Sequence, residues 1–146
     1  MAKEYDPRMH SAEHILNQTM VRMFNTGRSF RAHIEKKKSK CDYRFNRDLT
    51  VDEIKSIENK VNEIISGNLP VREEFCTLEE AKKFVDTSKL PENVGNKIRI
   101  IKIGDYDACP CIGQHVATTA EIGKFRIVST GYNDGVLRIR FKLESI

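Results

Sequence analysis

His10 and His14 stand four residues apart in HSAEH, and far along the chain Cys111 and His115 repeat that spacing in CIGQH. Residues four apart on a helix share a face, so the first pair can present two imidazoles to one ion. Either pair alone is a weak signal. Together they supply nitrogen and sulfur donors that suit a borderline-soft, tetrahedral ion, which favours zinc over calcium or magnesium. Four protein ligands also pose a chemical question, because catalytic zinc normally keeps one position open for water or substrate. Either one ligand, with His115 the first choice, stays distant or is displaced, or the ion only shapes a pocket. No carboxylate in the sequence stands out as a general base.

The elements that would hold these residues alternate between helix and strand. Residues 9–24 carry apolar side chains at helical spacing, with Ala12, Ile15, Leu16, Met23 and Phe24 near the histidines, and the helix ends before Gly27. Segments 29–35 and 40–46 alternate as strands and pair as a hairpin whose lysine-rich turn is exposed. Thr50 with Glu53 forms a capping box, Ile54, Ile57, Val61, Ile64 and Ile65 follow at helical spacing, and Gly67 supplies the stop. After Pro70 comes a short strand at VREEFC, then a second capping box, Thr77 with Glu80, before a brief helix. Residues 86–97 read as a polar, turn-rich loop inside one domain, since metal ligands fall on both sides. KIRIIKIGDY is a strand that delivers the chain to Cys111. KFRIVST and GVLRIRFKL are strands joined across Asn133, Asp134 and Gly135. In the last strand Leu137, Ile139, Phe141 and Leu143 face one way, and Arg138, Arg140 and Lys142 the other.

A chain of 146 residues with 39% hydrophobic content supports one core, so residues 1–146 are expected to form a single α+β domain. The expected architecture is mostly antiparallel sheet packed with helices, with the metal site between the N-terminal helix and the C-terminal sheet. No apolar run is long enough for a bilayer and no leader pattern is present, which makes a cytoplasmic protein the expectation. The cysteines at positions 41, 76, 109 and 111 are irregularly spaced and read as reduced thiols. A formal charge of +4 says little by itself. Its placement says more: Arg28, Arg31, Lys36, Lys37, Lys38 and Lys40 cluster in one stretch, and Lys124, Arg126, Arg138, Arg140 and Lys142 in another. Side by side, these stretches would attract a phosphate backbone.

HSAEHIL, the RFNRDLTVDEIKSIENKVNEIISGNLPV block, CIGQHV, and EIGKFRIVSTG with the terminal RIRF together resemble, in order and spacing, the editing domain of alanyl- and threonyl-tRNA synthetases. The resemblance covers essentially the whole chain and is nearest to the free-standing AlaX type of trans-editing protein. It implies hydrolysis of the ester between a wrong amino acid and the terminal adenosine of a tRNA, with Ser-tRNA(Ala) or Gly-tRNA(Ala) foremost and Ser-tRNA(Thr) as an alternative. A synthetic pocket built for a small side chain cannot strongly reject one that adds a hydroxyl, so a second hydrolytic site is needed. The resemblance also implies zinc held by His10, His14, Cys111 and His115, and the acceptor end of a mischarged tRNA as partner.

The chain departs from that family in ways that bear on its pocket. Alanyl-type domains often carry CGGTH where this chain has CIGQH, so Ile112 and Gln114 are expected to alter the wall beside the metal. A glutamine common in the family is replaced by Phe30, and His33 is the candidate to take over its contact. Thr118 and Thr119 are further candidates for a hydroxyl near the amino acid or the ribose. Lys36, Lys37, Lys38, Arg138 and Arg140 are the candidate tRNA contacts. Cys109, two residues before Cys111, is either a fifth candidate ligand or a small buried thiol. Two rival classes remain: a non-catalytic, zinc-stabilised RNA-binding module, and a hydrolase acting on a free small molecule.

Overall fold

Capping chemistry, rather than apolar spacing, sets where the first helix begins. A computed structural model describes residues 6–85, 87, 90 and 95–144. In it, the Asp6 carboxylate accepts the backbone N–H groups of Arg8 and Met9 at 2.9 and 3.3 Å. Pro7 occupies the first turn, where a missing N–H leaves no bond unmade. Helix α1 therefore spans Pro7–Phe24, starting ahead of the apolar period. Its stop is Asn25 at φ 56°, whose N–H reaches Val21 O at 3.1 Å.

Strands β1 (Arg31–His33) and β2 (Ser39–Arg44) form the expected hairpin, trimmed at both ends, with Lys36, Lys37 and Lys38 exposed at its tip. Helix α2 (Val51–Ser66) begins at the Thr50–Glu53 capping box and buries Ile57, Val61 and Ile65. Strand β3 (Val71–Cys76) leads through the Thr77–Glu80 box into helix α3 (Leu78–Lys82). The predicted loop over 86–97 falls partly on residues outside the described set. Strand β4 (Ile98–Ile103) turns at Gly104, φ 50°, and returns as β5 (Asp107–Pro110). The isoleucine-rich segment is thus one arm of a hairpin, where the sequence indicated a single strand running on toward Cys111. DYDACP hides its strand because an aspartate there resembles a turn residue until something buries and pairs it. Strands β6 (Lys124–Asn133) and β7 (Val136–Glu144) meet across Asp134 and Gly135, both at positive φ.

These strands make two antiparallel sheets, ordered β1-β2-β7-β6 and β3-β4-β5. The core lies where α1 and α2 cover the first sheet. Met9, Ile15, Leu16 and Met20 pack with Ile57, Val61 and Ile65 and with Leu137, Ile139 and Phe141 of β7. The β7 arginines alternate away from that core, as a half-wet strand requires. A smaller cluster of Ala81, Ile98 and Ile100 ties α3 to the second sheet. The four cysteines are free thiols. Among the described residues no helix is long and apolar enough to cross a membrane.

Candidate metal centre and adjoining pocket

One end of α1 lies against β5 and the loop that leaves it, and this brings the two distant motifs together. His10, His14, Cys111 and His115 each offer one ligand atom, and these four atoms lie within 4.8 Å of one another. The sheet beside the cluster is the three-stranded one. The far nitrogens of His10 and His115 have hydrogen-bond partners, and that of His14 faces a carboxylate at ion-pair distance without a hydrogen bond. His10 Nδ1 lies 3.3 Å from the carbonyl oxygen of Gln114, His115 Nδ1 3.0 Å from Ser11 Oγ, and His14 Nδ1 3.5 Å from Asp107 Oδ2. Partners of this kind fix the tautomer and aim Nε2 inward, the arrangement that surrounds metal-bound histidines.

Three observations fit a cation at the centre. His115 Nε2 is buried with no hydrogen-bond partner, and such orphans are rare unless something coordinates them. Gly113 leaves space for a ring: a Cβ there would stand 2.2 Å from His10 Cε1 and 2.6 Å from its Nδ1. The donor set of three imidazoles and one thiol is also a zinc set. Burial, the largest influence on Cys111, pushes its thiol up, but hydrogen bonds from His10, His115 and His14 outweigh it and bring the thiol down to about 3. Burial likewise lowers His14, yet Asp107, Cys111 and Glu13 overcome it and raise the imidazole to about 9. Burial lowers His115 to about 4, with the other two histidines acting the same way. These directions favour a thiolate beside a protonated imidazole, a charge pattern whose proton a divalent cation would displace on binding.

Asp107 anchors this arrangement from behind and was missed by the sequence reading. Its fully buried carboxylate receives Arg28 Nη1 and Nη2 at 2.6 and 3.3 Å and Gln18 Nε2 at 2.9 Å. Burial would raise its pKa, but His14 and Arg28 together hold it down at about 2. A buried carboxylate with these partners stays ionised and orients His14. Glu13 is the second omission: its Oε1 lies 3.9 Å from Nε2 of both His10 and His14. The sequence signal was present in HSAEH, but the carboxylate gained meaning only once both rings were placed.

A cavity of about 330 Å³ opens beside the cluster and shares His14 with it. Glu13, Asn17, Arg28, Ser29 and Cys109 also line it. Cys109 therefore belongs to the pocket wall and falls outside the four-ligand group, its thiol pushed up to about 11 chiefly by burial.

The other predicted site residues are more scattered. Gln114 contributes its backbone carbonyl to His10, while its side chain is exposed. Ile112 is 97% exposed, so it projects into solvent where a pocket wall was expected. Thr119 is not brought to the pocket. Its 0%-exposed hydroxyl lies 2.9 and 3.1 Å from the Ile64 and Ile65 carbonyl oxygens and accepts the Leu69 N–H at 2.8 Å, closing the end of α2. Thr118 bonds through its N–H and hydroxyl to Glu121. His33 is exposed on the hairpin and paired with Glu35 at 2.7 Å, and Phe30 lies under the Arg44 guanidinium at 3.8 Å.

The two basic stretches do lie side by side, with Lys40 of β2 opposite Arg140 of β7. Arg138 is committed elsewhere, because both it and Arg31 bond the buried Asp42, at 2.8 and 3.0 Å and at 2.7 Å. Lys38, Lys40, Arg140 and His33 line a shallow surface hollow.

Comparison with known proteins follows the same lines. Residues 98–140, which include Cys111 and His115, match the family described as the threonyl and alanyl tRNA synthetase second additional domain. Over 134 residues, 90% of the chain, the sequence is 36% identical to an alanine–tRNA ligase of Fervidobacterium nodosum. It is 34% identical to one of Coxiella burnetii over the same share, and 33% identical to one of Bacillus subtilis over 89% of the chain. The alignments cover only 16% of the first two ligases and 15% of the third, so the chain spans about a sixth of the relatives it matches. Residues 98–140 thus match the threonyl and alanyl tRNA synthetase second additional domain, and most of the chain is similar to one part of alanine–tRNA ligases.

Proposed function

We propose that residues 1–146 act as one editing domain that hydrolyses mischarged aminoacyl-tRNA in trans. Seryl and glycyl esters of the alanine tRNA are the foremost substrates, and Ser-tRNA(Thr) is the alternative. The observation that carries this reading is the four-donor cluster opening through His14 onto a cavity large enough for a small esterified amino acid. His10, His14, Cys111 and His115 would hold zinc, which supplies electrostatic stabilisation of charge developing on the ester. The chain's own groups do the rest. Glu13 places a carboxylate at the cluster edge, a complement to the substrate ammonium, while the buried Asp107–Arg28 pair keeps His14 in register.

The tRNA would lie across the β1–β2 tip and β7. Lys40 directly opposite Arg140 is a like-charge pair that costs stability in the free chain and is relieved by a phosphate. Lys36, Lys37 and Lys38 extend that surface, and His33 stands at its rim. A cytoplasmic location follows from this substrate.

The saturated ligand set favours one competing reading, a zinc-stabilised tRNA-binding module without chemistry. A panel of mischarged tRNAs separates the two. Zinc-loaded protein is expected to deacylate at least one of Ser-tRNA(Ala), Gly-tRNA(Ala) and Ser-tRNA(Thr), and Cys111→Ala to lose both zinc and activity. Binding of tRNA with all three esters left intact would establish the non-catalytic reading instead.

A further inference from the structure

We propose that Asn17 is the residue by which the pocket distinguishes a hydroxylated side chain from an unsubstituted one; the assignment rests on the editing function above. Asn17 follows His14 by three positions on α1, so both project from one helix face into the same cavity. Its side chain is 4% exposed and its orientation is determined by its partners. Oδ1 accepts the Ser29 backbone N–H at 3.2 Å and the Tyr43 hydroxyl at 2.7 Å. A backbone N–H can only donate, so the oxygen and nitrogen of the amide cannot be exchanged. Nδ2 is left as the group of this side chain that faces the cavity Asn17 lines.

A ligand that fills the cavity without offering Nδ2 an acceptor strips water from the amide and leaves it unmatched, which is costly. A small ligand that brings an oxygen to it avoids that cost, and one that brings a methyl or a hydrogen does not. This is the physical situation in which a site rejects an analogue lacking a hydroxyl far more strongly than an apolar pocket can. The placement suits the reaction. With the ester near His14 and the ammonium near Glu13, the side chain of the amino acid extends along α1 toward Asn17. Tyr43 and Ser29 make the amide rigid, so little ordering entropy is lost when the hydroxyl arrives.

The test uses zinc-loaded protein and non-hydrolysable adenosine conjugates in which an amide replaces the ester, carrying seryl, alanyl or glycyl. Binding is read by calorimetry and zinc content by metal analysis. Wild type is expected to prefer the seryl conjugate to the alanyl one by about tenfold or more. Asn17→Ala is expected to reduce that ratio to within about threefold of unity while keeping its zinc. Equal binding of all three by wild type overturns the assignment whether or not the variant folds, as does an undiminished seryl preference in Asn17→Ala. Failure of all three conjugates to bind overturns the editing function itself and the assignment with it.

Discussion

Asp107 and Asp42 are the same solution to one problem at two ends of the molecule, put to different uses. Each is a buried strand aspartate gripped by arginine, Asp107 by Arg28 and Asp42 by Arg138 and Arg31. Arg28 is largely buried with its carboxylate, whereas Arg31 and Arg138 remain substantially in contact with water. Asp107 also faces His14 across 3.5 Å, so its charge is transmitted to the metal cluster. Asp42 lies between strands of the large sheet and fixes the hairpin to β7. A buried carboxylate is therefore no sign of a site by itself. What distinguishes the two is the group standing behind the carboxylate and how much water can replace it.

That contrast is most directly broken by Asp107→Ala. Removing one partner of a buried pair leaves Arg28 uncompensated and frees His14, so stability is expected to fall by about 3–5 kcal/mol. Zinc affinity is expected to fall by about 10–100-fold, as when a second-sphere partner is lost. Urea unfolding of the metal-free protein and competition with a chromophoric chelator measure the two effects. Gly113→Ala isolates the metal side. Its Cβ would overlap the His10 ring, so zinc binding should weaken by about tenfold or more, with a loss of stability of about 1–3 kcal/mol as the loop shifts.

Asp42→Asn should show the reverse pattern, a loss of about 1–3 kcal/mol with zinc stoichiometry unchanged, because solvent can take over for its arginines. A variant that lost zinc would erase the distinction between the two aspartates.

The smallest effect is in pH. Hydrogen bonds from Arg138, with burial opposing and Arg31 assisting, hold Asp42 below the usual carboxylate range. A depressed folded pKa gives stability that is fully present above the unfolded value of about 3.9 and is lost as pH falls through the folded one. Urea midpoints between about pH 5 and pH 3 should therefore drop less steeply in Asp42→Asn than in wild type.

How much of this was legible depended on the range of the interaction. The Thr50–Glu53 and Thr77–Glu80 boxes act over three residues, and both helices start where those pairs placed them. The period-two alternation of β7 carried its buried face in Leu137, Ile139 and Phe141. Chemistry also narrowed the ligands, because imidazoles and a thiol at such spacings have few other uses. Thr119, by contrast, looked like a free hydroxyl in sequence and turned out to close α2 from 54 and 55 residues away. Ile112 and Gln114 were read as a wall, but their side chains project outward from the loop that carries the ligands.

The sequence by itself determined the helices with their caps, the alternating strands of the large sheet and the identities of the four donors, since each of these is written in neighbours a few residues apart. Tertiary structure alone decided that Asp107 would orient His14, that DYDACP would pair as a strand, and that Asn17 would turn its amide toward a cavity. Those outcomes depend on partners dozens of residues away, such as Arg28 for Asp107 and Tyr43 for Asn17. A polar side chain's role is fixed only when burial removes water as its alternative partner, and burial is a property of the assembled fold.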